Sequence, residues 1–137
     1  MAATGGPVVG VGIDAVDVER FRRALGRRPR LADRLFTAAE RAEASRRHDP
    51  VPGLAARFAA KEAVMKSLSV GLGAFDFADV EVVRGPGGAP RLGVGGRAAD
   101  LAAERAVAGW HLSLTDTDQV AMAVAVAYGS TGPVVGA

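Results

Sequence analysis

The chain of 137 residues contains no cysteine. Disulfides and thiolate nucleophiles are therefore excluded, and the commonest zinc ligands are missing. Aromatic side chains make up only 5% of the residues, too few for the stacked rings on which single-stranded nucleic acid is bound. No apolar run approaches the ~18 residues of a membrane span. The opening "MAATGGPVV" also lacks the basic start of a secretory signal. A cytoplasmic protein with no membrane partner is expected.

What remains is 49% hydrophobic, mostly as alanine and valine, with 18 glycines interspersed. A core of such small side chains favours association into an oligomer. The length suits one domain. That domain is expected over residues 1–128, leaving 129–137, "GSTGPVVGA", as a flexible tail with little to pack against. The net charge is only +2, yet Arg20, Arg22, Arg23, Arg27, Arg28, Arg30 and Arg34 crowd one short stretch. Such a patch calls for an acidic partner, whether nucleic acid, an anionic membrane or an acidic protein.

The apolar, glycine-punctuated "PVVGVGID" predicts a buried strand ending at Asp14. Asp17 is a good N-cap for "VERFRRALGRR", where Val18, Phe21 and Leu25 share one face and Arg20, Arg23 and Arg27 the other. "RLADRLFTAAERAEASRR" is helical, with Thr37 as the cap of a helix starting at Ala38. "HDPVPG" reads as a proline-punctuated loop, followed by a helix from Leu54 to Leu68. "SVGLGAFDF" is a glycine-rich loop, and "DVEVVRGPGGAPRLGV" two strands joined at Pro-Gly-Gly. A helix ending at Gly109 precedes the closing strands "WHLSL" and "QVAMAVAVAY", separated by "TDTD". In the first of these strands His111 and Ser113 face away from Trp110, Leu112 and Leu114. The order β-α-α-α-β-β-α-β-β predicts an α+β fold, helices packed on a mostly antiparallel sheet.

The helix "RFAAKEAVMK" poses a question of charge. Leu54, Phe58, Met65 and Leu68 form its apolar stripe, and Glu62 and Lys66 lie on the flank beside Ala59 and Ala63. Lys61 falls within the stripe, so its ammonium is expected to snorkel outward. Glu62 could simply pair with Lys66 on the surface. Alternatively, Glu62 and Asp14, two carboxylates on rigid elements near lysines and a glycine loop, have the makings of a magnesium–phosphate site. Mg²⁺ takes one or two carboxylates, with waters and substrate phosphates completing its octahedron.

Five segments, "GVGIDAVDVERF", "LFTAAE", "RFAAKEAVMKSL", "FADVEVV" and "WHLSLT", occur in the order found in holo-acyl-carrier-protein synthases, the small 4′-phosphopantetheinyl transferases. The resemblance runs from Val8 to Tyr128. It implies transfer of 4′-phosphopantetheine from coenzyme A to a serine of an apo acyl carrier protein, with Mg²⁺ as cofactor and adenosine 3′,5′-bisphosphate as second product. The family's metal-binding aspartate falls on Asp14 and its metal-binding glutamate on Glu62. Lys66 then becomes the candidate for stabilising or protonating the leaving phosphate. Arg57, Lys61 and His111 become candidates for gripping coenzyme A phosphates, with Gly71 and Gly73 admitting the backbone. The resemblance further implies a homotrimer with sites between subunits, in which the Gly88-Ala89-Pro90 turn reaches a neighbour's nucleotide. It also implies docking of the acidic carrier on Arg20, Arg23 and Arg27. Asp17 and Glu43 are left as a cap and a solvent-facing acid.

Two positions depart from the pattern. Asp116 stands where many relatives have a second histidine, and Ser69 where a glycine usually follows the long helix. Two rival readings keep some purchase. A basic nucleic-acid-binding domain explains the arginines but neither Asp14 nor Glu62. A Mg²⁺-dependent phosphohydrolase would use the same site with water in place of the serine.

Overall fold

In a computed structural model, residues 5–131 are described. Strand β1 (Val8–Asp17) runs three residues past the expected end at Asp14. Asp17 then caps α1 (Val18–Arg27), accepting from the Arg20 amide at 2.8 Å. The next helical stretch divides in two, α2 (Leu31–Leu35) and α3 (Ala38–Ala44). The break falls at Phe36 and Thr37, where Thr37 and Glu40 form a reciprocal capping box that starts a new helix rather than extending the old one. Four helices therefore precede the second strand, not three.

The long helix α4 (Val51–Ser67) begins three residues earlier than expected, inside the presumed loop. Pro52 lies in its first turn, where a missing amide proton costs no hydrogen bond. Strands β2 (Val80–Arg84) and β3 (Pro90–Val94) form the expected hairpin. Helix α5 (Gly96–Glu104) stops five residues short of Gly109, because Ala106 turns left-handed at φ +56°. Strands β4 (Gly109–Asp116) and β5 (Val120–Tyr128) close the fold.

All pairing is antiparallel, but in two sheets: β1-β5-β4, and the separate hairpin β2-β3. Helix α4 lies on one face of the larger sheet, against Ala121, Ala123, Ala125 and Ala127, all at most 1% exposed. Alanine on the strand and alanine on the helix let the two backbones approach. Gly10 and Gly12 take this further, since a β-carbon on either would fall within 2.0 Å of an α4 carbonyl oxygen. The opposite face of the sheet, with Val11 and Ile13 of β1, is exposed. The expected tail lies outside the described residues from 132 onward. Gly129 itself accepts a hydrogen bond from the Gly6 amide and donates one to Pro7.

Candidate active site

Close packing of β1 on α4 decides where Asp14 goes. Asp14 pairs with Ala123 in the register, on the helix-covered face that also holds Gly10 and Gly12. It emerges just where the helix presents its one accessible strip, Phe58, Glu62 and Lys66, at successive helical turns. Lys66 Nζ donates to Asp14 Oδ1 at 3.1 Å and to the Ile13 carbonyl at 2.9 Å. Asp14 and Glu62 line one cavity of about 560 Å³, walled by Phe21, Leu31, Leu35, Phe58, Leu72 and Phe77. Phe58 stacks between Phe21 and Phe77, at 5.3 and 5.5 Å between ring centres. Burial, and then the neighbouring Asp14 charge, push the Glu62 carboxyl above its ordinary value. A bound cation shared with Asp14 would offset what disfavours ionisation of Glu62.

The donor set fits magnesium better than a transition metal. Among the described residues no three His, Cys, Asp or Glu side chains gather in one place. A site with two carboxylates leaves most of an octahedron to water and substrate oxygens, the arrangement Mg²⁺ prefers at phosphates.

Arg57 lies elsewhere. Five residues before Glu62, it points about 140° away around the helix, toward the edge of the sheet at β4. There a second cavity, about 230 Å³, is lined by Glu43, Arg47, Arg57, Arg84 and Asp116, among others. Arg57 is 8% exposed and donates from Nη1 to the Gly53 carbonyl at 3.0 Å, while its Nε has no partner among the described residues. Burial lowers its pKa from the ordinary arginine value. A buried guanidinium with an unused donor calls for an anionic acceptor. Arg47 binds Asp116 through both terminal nitrogens, at 2.9 and 3.2 Å, so the acid at the position of the missing histidine holds an arginine instead. Glu43, expected to face solvent, receives Arg84 at 3.0 Å at this cavity. Arg47 and Arg84 had no local signature in the sequence, because their meaning comes from elements far apart in the chain.

Lys61 requires a correction. Instead of snorkelling it is 0% exposed, and its ammonium donates to Glu40 Oε1 at 2.8 Å and to the carbonyls of Phe77 and Val80. With three protons bonded internally and no surface, it has nothing to offer a coenzyme A phosphate. The stripe did place Lys61 on the buried side, but helix α4 is buried almost all round, so its ammonium has no nearby surface to reach.

His111 and Ser113 occupy the exposed face of β4, as the alternation predicts. His111 stacks on Tyr128 at 4.8 Å and lines a groove with Pro90 and Arg91. Cross-strand pairing sets His111 opposite Val126, which itself faces Val11, whereas Asp14 is on the other side of the sheet. Within one chain the two do not meet. Gly71 and Gly73 are exposed beside Leu72, a wall of the Asp14–Glu62 cavity. Gly73 has φ +89°, a conformation natural to glycine. Arg20, Arg23 and Arg27 are exposed and form no ion pair among the described residues, and Arg20 borders the same cavity.

A family model described as the 4′-phosphopantetheinyl transferase superfamily matches residues 10–125. The chain is 52% identical over 120 residues to a holo-[acyl-carrier-protein] synthase of Salinispora arenicola, covering 88% of this chain and 98% of the relative. Among solved structures, the holo-[acyl-carrier-protein] synthase of Neisseria meningitidis superimposes with a TM-score of 0.79 at 30% identity, over 88% of this chain and 98% of that one. The synthase of Bacillus anthracis, solved in complex with CoA (3′,5′-ADP), gives 0.74 at 29% identity, over 90% and 98%.

Proposed function

The chain belongs to the 4′-phosphopantetheinyl transferase superfamily, and from that premise we propose how its own residues carry out the family reaction. That reaction transfers the 4′-phosphopantetheine group of coenzyme A to an apo acyl carrier protein. The observation that carries the assignment of residues is the meeting of Asp14, Glu62 and Lys66 across the β1–α4 contact.

Asp14 and Glu62 would hold Mg²⁺. When bound, the ion supplies positive charge to the pyrophosphate oxygens and acidifies a hydroxyl attached to it. The serine oxygen of the carrier attacks the β-phosphorus as its proton passes to solvent, the bond to the bridging oxygen breaks, and adenosine 3′,5′-bisphosphate leaves. Positioning and charge neutralisation dominate such a transfer. Lys66, half exposed and already at the carboxylates, swings its ammonium from Asp14 to the leaving phosphate.

The Arg57 cavity, with Pro90 of the Gly88-Ala89-Pro90 turn in its wall, is the grip for a further coenzyme A phosphate, and His111 in the neighbouring groove that shares Pro90 is a second candidate. Because Glu62 and Arg57 point to different edges of one sheet, we assign the complete site to two copies of the chain in a homotrimer. The uncovered apolar face carrying Val11 (58% exposed) and Ile13 (54%) supports that association. Arg20, which borders the cavity, and Arg23 and Arg27 on the same helix form no ion pair among the described residues and receive the acidic carrier. No described helix is long and apolar enough to cross a membrane. We take residues 1–128 as a single domain acting in the cytoplasm.

Intact-mass spectrometry of an apo carrier incubated with coenzyme A, Mg²⁺ and this protein tests the reading. The carrier should gain the mass of phosphopantetheine, and the gain should vanish with excess EDTA and in Asp14→Ala. Full modification in EDTA would reject the metal assignment. A free phosphopantetheine product with no modified carrier would favour the hydrolase.

A further inference from the structure

Lys61 has no part in the chemistry above, yet a buried ammonium is costly unless its charge is met and its protons are bonded. Both conditions hold. Its ammonium bonds Glu40 and the carbonyls of Phe77 and Val80, and Glu40 in turn accepts from the amides of Thr37 and Val82, each at 3.0 Å. One ion pair, both side chains 0% exposed, thus links α4 to α3 and to the segment entering β2.

These are the elements that bring arginines to the second cavity. Arg47 follows α3, Arg57 precedes Lys61 by one turn of α4, and Arg84 ends β2. Like charges drawn to one cavity repel, and Arg84 and Arg47 both act on Arg57 in that sense. The surface pairs that oppose the repulsion, Arg47–Asp116 and Arg84–Glu43, are partly solvated and so screened by salt. The buried pair is neither solvated nor screened.

We propose that Lys61 and Glu40 form a positioning brace that holds the three arginines at the spacing one phosphate group requires. The proposal rests on the reading that this cavity grips coenzyme A. Lys61 touches no substrate and works through Arg57, Arg47 and Arg84. Its loss should therefore weaken coenzyme A binding selectively, leaving the Asp14–Glu62 edge and the carrier surface unaltered.

The test compares Lys61→Met, which keeps most of the side-chain volume, with Arg57→Ala. Coenzyme A affinity is read by calorimetry, steady-state constants with each substrate varied, and folding by thermal melts. Lys61→Met should raise the coenzyme A Kd and KM roughly tenfold, the scale seen when a supporting shell is removed, with kcat and the carrier KM unchanged. Arg57→Ala reports on the underlying reading: wild-type coenzyme A affinity in that variant means the cavity is not the nucleotide grip. If Arg57→Ala weakens coenzyme A while folded Lys61→Met binds it normally, the brace is wrong. A lower kcat with both KM values raised alike in Lys61→Met would likewise reduce the pair to general stability and overturn the proposal. Should Lys61→Met fail to fold, Glu40→Gln removes the same ion pair and is judged by the same readouts.

Discussion

Gly12 lies so close to α4 that a β-carbon on it would sit 1.8 Å from the carbonyl oxygen of Ala63 and 2.9 Å from the Ser67 amide nitrogen. Both obstacles are backbone, so a side chain there can be accommodated only by moving the helix. Gly12→Ala should push α4 off β1, separate Asp14 from Glu62, and destabilise the fold by about 1–3 kcal/mol, as overpacking does. Mg²⁺ titration and thermal melts would show both losses together. Gly26→Ala is the control: it has open space within α1, and alanine there should stabilise by about 0.5–1 kcal/mol.

Glu62 is expected to trade stability for function. Its carboxyl is raised by burial and by Asp14, so the folded protein holds that proton more tightly than the unfolded chain does. The ionised form thus penalises folding. The penalty is absent below the ordinary carboxylate value, grows through the window up to the raised one, and is complete above it. Glu62→Gln should therefore melt higher than the metal-free parent at neutral pH, with the advantage fading on acidification through that window and gone below the ordinary value, while its transferase activity is lost. An equal or lower melting temperature at neutral pH would contradict this account.

Ser69 and Ala106 should both welcome glycine. Each sits at φ +56° just after a helix. In each case the next amide bonds back to a carbonyl in the last turn, Val70 to Met65 and Val107 to Ala102, the arrangement that favours glycine at the left-handed position. Relief of the left-handed penalty outweighs the added freedom of the unfolded chain, giving about 0.5–1 kcal/mol for Ser69→Gly and Ala106→Gly. Urea denaturation would measure it, and neither change should alter the coenzyme A KM.

Arg23→Glu or Arg27→Glu should raise the carrier KM and flatten its dependence on salt, since exposed charges chiefly govern encounter. Coenzyme A affinity should stay as it was, because Arg57 is on another helix. Kinetics at two ionic strengths would decide; equal weakening of both substrates would place these arginines in the nucleotide site.

Much of this was legible along the chain because it depends on neighbours in sequence. The Asp17 cap, the Thr37–Glu40 box, the hairpin at Pro-Gly-Gly and the two faces of "WHLSL" follow from local hydrogen bonding and from the periods of helix and strand. The family's motifs likewise singled out Asp14, Glu62 and Lys66. The start of α4 was missed because Pro50, just before it, and Pro52 in its first turn read as loop, and the end of α5 because Ala106 gives no sign of a left-handed turn. Lys61 was misplaced for a deeper reason. Periodicity orients a residue around its helix, but what covers that side depends on Glu40 and on the carbonyls of Phe77 and Val80, which are distant in the chain. The same limit hid the cavity of Arg47, Arg57 and Arg84. It also hid the division of Asp14 and His111 between two faces of one sheet, since strand register and helix packing are decided only when remote segments bury their apolar sides together.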